Sequence, residues 1–184
     1  MFRKILIILF IGLLNLNNNA FSNDKILQSL KEGKKLVFIR HAIAPGNGDP
    51  INFNINDCST QRNLDKNGIT QSKKIGQFFI NNKIKVDKVL SSEWCRCKDT
   101  AKYAFQNFET LNALNSFYDI RFAANEAKQI KDLKNYVKNW DSDENLVLVT
   151  HFVVISSILN IGASSGEIII SDKNFNIIDS INTM

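Results

Sequence analysis

The sequence predicts an α/β fold: a three-layer sandwich with a mostly parallel central sheet and helices on both faces. Three observations predict it. Short apolar runs rich in β-branched residues, at 35–40, Val86–Ser91 and Asn145–Thr150, read as strands. Longer stretches of helical periodicity separate them, so the chain alternates strand and helix. Such alternation implies right-handed crossovers and therefore parallel neighbours.

The elements follow in order. Residues 1–22 carry Arg3 and Lys4, an almost unbroken apolar run from Ile5 to Leu16, and the small residues Ala20 and Ser22 at the −3 and −1 positions of a cut. That is the pattern of a secretory signal peptide. A run of about a dozen apolar residues falls short of the roughly 20 that span a bilayer, so no stable membrane span is expected after its removal. No cysteine lies near the cut, which argues against a lipid-modified terminus. Residues 23–184 then form a single domain, expected in the periplasm or secreted.

Residues 23–33 are amphipathic, with Ile26, Leu27 and Leu30 on one face and Gly33 placed to end the segment. The first strand, at 35–40, empties into a loop at 44–62 that holds Pro45, Pro50 and two glycines. A loop of that length at a strand end is often a functional rim. Helices are expected at 67–82, 94–107, 123–140 and 152–160. Ile75, Phe78 and Phe79 mark the inner face of the first of these, and Ile130, Leu133, Tyr136, Val137 and Trp140 that of the third. Ser91 and Ser92 read as the turn and cap before the second. Residues 109–122 are the least periodic stretch, a loop with a short strand. A last strand is expected at 166–171, with an edge strand at 175–178.

The leader carries two of 23 basic residues and none of 18 acidic ones, leaving the mature chain at a net +3. This mild excess suits an anionic substrate and does not call for nucleic acid. With only His41 and His151 present, a multi-histidine metal cage is excluded. The cysteines are Cys58, Cys95 and Cys97. In an exported chain Cys58 is expected to pair with Cys95 or Cys97, leaving one thiol, because residues two apart on a helix point to different sides. A metal site built from all three is the alternative, although the spacing matches no common zinc pattern.

Three strand exits carry polar side chains: Arg40 and His41, then Ser91 through Arg96, then Thr150 and His151. In a parallel sheet these ends share one edge, where ligands of open α/β folds bind. Two arginines and two histidines around one crevice make a site for a dianion. Guanidinium forks match phosphate oxygens, and imidazole can act as nucleophile. No GxxxxGK[ST] motif is present, so the usual nucleotide-triphosphate reading falls away.

The blocks Arg40-His41-Ala42, the run from Ser91 to Ala101 in the form SSxxxRxxxTA, and a histidine directly after the strand ending Val149-Thr150 resemble the histidine phosphatase superfamily, branch 1 type, also called phosphoglycerate-mutase-like. The stretch from Leu64 to Gln71 is similar to that family's LTxxGxxQ helix start, with Asp65 in place of threonine. The resemblance covers most of the mature chain. It implies catalytic roles for His41, as the nucleophile that becomes phosphohistidine, and for His151. It implies phosphate binding by Arg40 and Arg96, and it implies no metal and no cofactor. The expected activity is that of an exported phosphoric monoester hydrolase. Its partner is a small phosphorylated substrate, with sugar or envelope phosphates the first to consider. A non-catalytic module of the cell envelope that binds phosphoryl ligands is the alternative.

Two positions depart from the family pattern. Ala42 replaces the usual glycine, which is tolerable only where the backbone does not need a positive φ. The general acid has no motif: Asp119 and Glu126 are the candidates, followed by Asp49, Asp57, Glu93 and Glu167. Arg62 reads as an exposed charge. Trp94, Phe117, Tyr118 and Phe122 read as core residues with the option of rimming a pocket. Ser92 and Thr100 read as cap and packing residues, since no triad partner accompanies them.

Overall fold

The structure is a computed structural model that describes residues 18–184, with side chains from Asp24 onward. Most of the expected leader, residues 1–17, lies outside the described residues. The first helix, α1 (Asn18–Glu32), starts five residues before the expected Asn23. Among its residues whose side chains are described, Ile26 and Leu30 are the buried apolar ones. Among the described residues no helix is long and apolar enough to cross a membrane.

Strands β1 (Leu36–Arg40), β2 (Val86–Ser91), β3 (Glu109–Thr110), β4 (Asn145–Thr150), β5 (Ile168–Ser171) and β6 (Ile177–Ile181) form one sheet in the order β3-β2-β4-β1-β5-β6. β1, β2, β3 and β4 run parallel, whereas β5 and β6 are antiparallel to their neighbours. The fold is thus the predicted α/β sandwich on a mostly parallel sheet. β1 and β4 pair from Leu36 opposite Leu146 to Arg40 opposite Thr150, which brings their ends level.

The strands are apolar at most positions because both faces are covered. On one face Leu36, Phe38, Leu90, Leu146 and Leu148 pack with Leu133 and Val137 of α4 (Glu126–Asn139) and Val154, Ile155 and Leu159 of α5 (Phe152–Leu159). On the other, Val37, Ile39, Val89, Val147 and Val149 pack with Ile26 and Leu30 of α1, Ile75 and Phe79 of α2 (Lys66–Asn81), and Cys97, Ala101 and Ala104 of α3 (Cys95–Phe105). The alternation follows the two-residue period of strand side chains.

Helix starts and crossings have local causes. Asp65 caps α2 by accepting from the Gly68 amide at 2.8 Å, so it does the work of the threonine it replaces. Gly76 lets α2 lie directly on α3, where an added Cβ would sit 2.0 Å from the Ala104 carbonyl oxygen. α3 starts at Cys95 with Trp94 as N-cap and no side-chain cap bond, so Ser92 is not its cap. α4 starts after a short 3-10 turn at Ala123–Asn125, three residues later than expected. Ala42 has no positive φ, consistent with alanine at that position.

Candidate active site

The exits of β1 and β4 place His41 and His151 side by side, with ring centroids 5.5 Å apart. Both are 3 % exposed. The His41 amide donates to the Thr150 carbonyl at 2.9 Å, which extends the ladder by one rung and fixes the turn out of β1. Thr100 of α3 accepts from the Ala42 amide at 3.0 Å and so holds the next residue as well.

The protonation of His41 follows from its partners. Its Nδ1 lies 2.8 Å from the Ala42 carbonyl oxygen, which can only accept. Nδ1 therefore carries the proton and Nε2 the lone pair. Burial first, and the positive charge of Arg96 second, hold the His41 pKa well below the ordinary histidine value. The ring is neutral at neutral pH, with Nε2 nucleophilic.

His151 is neutral for the same leading reason, burial, followed by the charge of Arg96. Its Nε2 lies 2.9 Å from Ser92 Oγ, and Ser92 donates to Asn115 Oδ1 at 3.0 Å. The Asn115 amide nitrogen is turned toward Glu93, so its oxygen is the acceptor here. Ser92 then accepts the Nε2 proton of His151, and the chain His151–Ser92–Asn115 sets the orientation of the second imidazole. Ser92 is thus a positioning residue. The thiol of Cys97 packs 3.4 Å from the same Nε2, and burial pushes its pKa to about 12, so it stays protonated.

Three guanidiniums converge on this pair. Arg40 donates to the Ala163 carbonyl at 2.6 Å and lies over the Phe152 ring. Arg96 is 4 % exposed and donates through Nη1 to both oxygens of Asp49, at 2.9 and 3.1 Å. Arg62 donates from Nε to the Gly48 carbonyl at 3.0 Å and from Nη1 to the Ala44 carbonyl. It is not the exposed charge expected from sequence but a half-buried member of the cleft. Burial lowers the pKa of Arg40 and Arg62, and the neighbouring charge of Arg96 lowers both further. The Nε groups of Arg40 and Arg96 are buried without a hydrogen-bond partner among the described residues. A buried unmet donor costs about 1–3 kcal/mol, so crowded cations with spare N–H groups favour an oxyanion.

The cleft these residues line has a volume of about 180 Å³, suited to a small group. α5 begins at Phe152, immediately after His151, and Phe152 and Val153 line the cleft, so the positive end of the helix adds to the field. Trp94, Tyr118 and Phe122 form part of its wall, while Phe117 is in the core.

A disulfide joins Cys58 to Cys95, and Cys97 is free and buried. The pairing excludes the three-cysteine metal site. It ties the 44–62 loop, which carries Asp49 and Arg62, to the residue before Arg96. Gln61 adds to this anchor by accepting from the Cys95 amide at 2.9 Å.

The candidate acids separate. Asp49 and Asp119 line the cleft. Glu126 accepts from Ser157 at 2.6 Å, and Glu93 is held by Asn112 and Asn115 in a neighbouring groove. Asp57 caps the short 3-10 turn at Cys58–Thr60, and Glu167 accepts from the Ser164 amide at 2.7 Å. None of these four lines the cleft. Arg62, Gln61, Asn115 and the Ser92–His151 bond have no clear sequence signature as site elements. Only Arg62 leaves a trace, as a lone arginine in a loop rich in Gly, Asp and Asn whose carbonyls need donors.

Two neutral imidazoles and three guanidiniums thus meet at the carboxyl edge of the parallel strands of an α/β protein. The chain belongs to the histidine phosphatase superfamily (branch 1), whose family model matches residues 36–145. Solved structures share the fold. The protein histidine phosphatase SixA complexed with tungstate aligns with a TM-score of 0.57 at 14 % identity, covering 81 % of this chain and 97 % of its own. Phosphoglycerate mutase from Thermus thermophilus gives 0.58 at 12 % identity, with coverage of 80 % and 98 %. A phosphoserine phosphatase mutant from Entamoeba histolytica in complex with phosphoserine gives 0.55 at 19 % identity, with coverage of 81 % and 97 %. No curated protein matches the chain by sequence.

Proposed function

We propose that this protein is an exported, metal-independent phosphatase that hydrolyses phosphomonoesters through a phosphohistidine on His41. The observation that carries the reading is the neutral His41 ring, its Nδ1 proton given to the Ala42 carbonyl, beside three arginines, two of which have unfilled donors. Nε2 attacks phosphorus in line as the bond to the leaving oxygen breaks. Arg40, Arg62 and Arg96 stabilise the equatorial oxygens, and His151 contacts the phosphoryl group from the neighbouring strand. Water then hydrolyses the phosphohistidine. In this scheme the guanidiniums supply the charge that a Mg²⁺ ion brings elsewhere.

Export rests on the residue pattern of 1–22 and on the Cys58–Cys95 disulfide, which persists in oxidising compartments. The test uses 4-nitrophenyl phosphate with EDTA present and looks for acid-labile phosphate on the protein. Turnover that His41→Ala abolishes, together with loss of the phosphoenzyme, is the expected result. Activity that survives His41→Ala refutes the mechanism. Tungstate binding without turnover of any phosphoester would mark a phosphoryl-binding module instead.

A further inference from the structure

The cleft holds two carboxylates among the described residues, and every oxygen of both accepts from a protein donor. Asp49 Oδ1 takes Arg96 Nη1 at 2.9 Å and the Arg62 amide at 3.0 Å. Its Oδ2 takes Arg96 Nη1 and Trp94 Nε1, each at 3.1 Å. Asp119 Oδ1 takes the Arg121 amide at 2.9 Å and Arg121 Nε at 3.0 Å, and its Oδ2 takes Arg121 Nη2 at 2.8 Å. Every protein group these four oxygens meet is a donor, and donors favour the carboxylate over the carboxyl form that a general acid must present to the leaving oxygen. The same Arg121 contacts hold the Asp119 pKa down to about 2. The histidines offer no substitute: His41 gives its proton to a carbonyl and His151 gives its own to Ser92.

From this arrangement we infer that the site acts on activated phosphoryl compounds, those whose leaving group departs as a stable anion without a proton from the protein. Mixed anhydrides of phosphoric and carboxylic acids, and aryl phosphates, belong to this class. Phosphates of simple alcohols and sugar hydroxyls do not. The inference rests on the proposed phosphohistidine mechanism and narrows its substrates.

The step balances without an acid. The lone pair of His41 Nε2 forms the N–P bond, and the electron pair of the breaking P–O bond leaves on the departing oxygen. In the second step water forms a new P–O bond, the N–P pair returns to Nε2, and both water protons end on dihydrogen phosphate.

The test is the dependence of kcat/KM on the leaving group, measured with acetyl, 4-nitrophenyl, phenyl and glycerol phosphates on the full mature protein. A positioned general acid contributes about 10²–10⁴-fold, and its effect is largest for the poorest leaving group. The expected result is a steep series in which glycerol phosphate falls at least ~10²-fold below phenyl phosphate. Asp119→Asn and Tyr118→Phe, the latter removing a hydroxyl from the cleft wall, should shift all four compounds by a common factor and leave the slope unchanged. A shallow series, or a variant that selectively abolishes glycerol phosphate turnover, overturns the inference while leaving the phosphohistidine mechanism in place. Failure to turn over any of the four overturns the proposed function, and this inference with it.

Discussion

Removing the Cys58–Cys95 bond should loosen the site before it unfolds the protein. The bridge closes a separation of 37 residues. Loop-closure entropy for that length corresponds to about 4 kcal/mol, which enters through the unfolded chain. For a domain of this size each kcal/mol moves Tm by about 2–4 °C, so reduction or the Cys58→Ser, Cys95→Ser pair should lower Tm by roughly 8–16 °C. Cys58 is exposed, so a thiol reductant reaches the bridge in the folded state, while Cys97 stays buried beside His151. A second effect follows from position. Asp49 and Arg62 ride on the loop that the bridge holds against α3, and Arg96 follows the second cysteine, so tungstate should bind more weakly to the reduced protein at temperatures where it remains folded. Thermal unfolding and tungstate titration, each with and without reductant, make the measurement. A double variant that melts within about 2 °C of the parent and binds tungstate with equal affinity refutes the reasoning.

Two further predictions concern stability. His41 and His151 are held neutral by burial, with folded pKa values well below 6.5. Because the unfolded chain binds these protons and the folded one does not, stability falls as pH drops below about 6.5, with a limiting slope of ~2.7 kcal/mol per pH unit for two histidines. Urea unfolding between pH 7.5 and 5.5 checks this, and tungstate, which favours the charged rings, should flatten the slope. Gly76→Ala drives a methyl group into the Ala104 carbonyl, a backbone contact that cannot rotate away. A loss of about 1–3 kcal/mol in chemical denaturation is expected.

The parts legible in sequence are those with short-range causes. β1 and β4 stand out as apolar runs because burial on both faces leaves few polar positions, and α2 because Asp65 and the Ile75–Phe79 face carry its start and its period. The direction of β5 is not legible. Ile168, Ile169 and Ile170 are buried on both faces like a parallel strand, yet β5 runs antiparallel to β1. After α5 the chain returns to the edge where β1 ends and turns at Gly166, whose amide meets the Arg40 and His41 carbonyls, so β5 sets off from that edge with Ile168 opposite Ile39.

The site divides in the same way. Arg40, His41, Arg96 and His151 sit at strand or helix ends and can be read in order along the chain. Asp49, Gln61 and Arg62 come from a loop whose course is set by a disulfide and by contacts 34 to 47 residues apart. No local pattern encodes that geometry. Asn115 reaches Ser92 across 23 residues for the same reason.

The pairing of β1 with β4 has a further consequence. Arg40 and Thr150 are opposite one another on adjacent strands, and each is followed by a histidine, so the separation of the two imidazoles is gauged by one inter-strand spacing, about 4.8 Å. That gauge is built into the centre of a six-stranded sheet and cannot be adjusted without shearing it. Adaptation to a new substrate therefore falls to the loops at the rim. The two imidazoles are thus set by a fixed jaw of sheet, while Asp49 and Arg62 close on them from an adjustable jaw of loop.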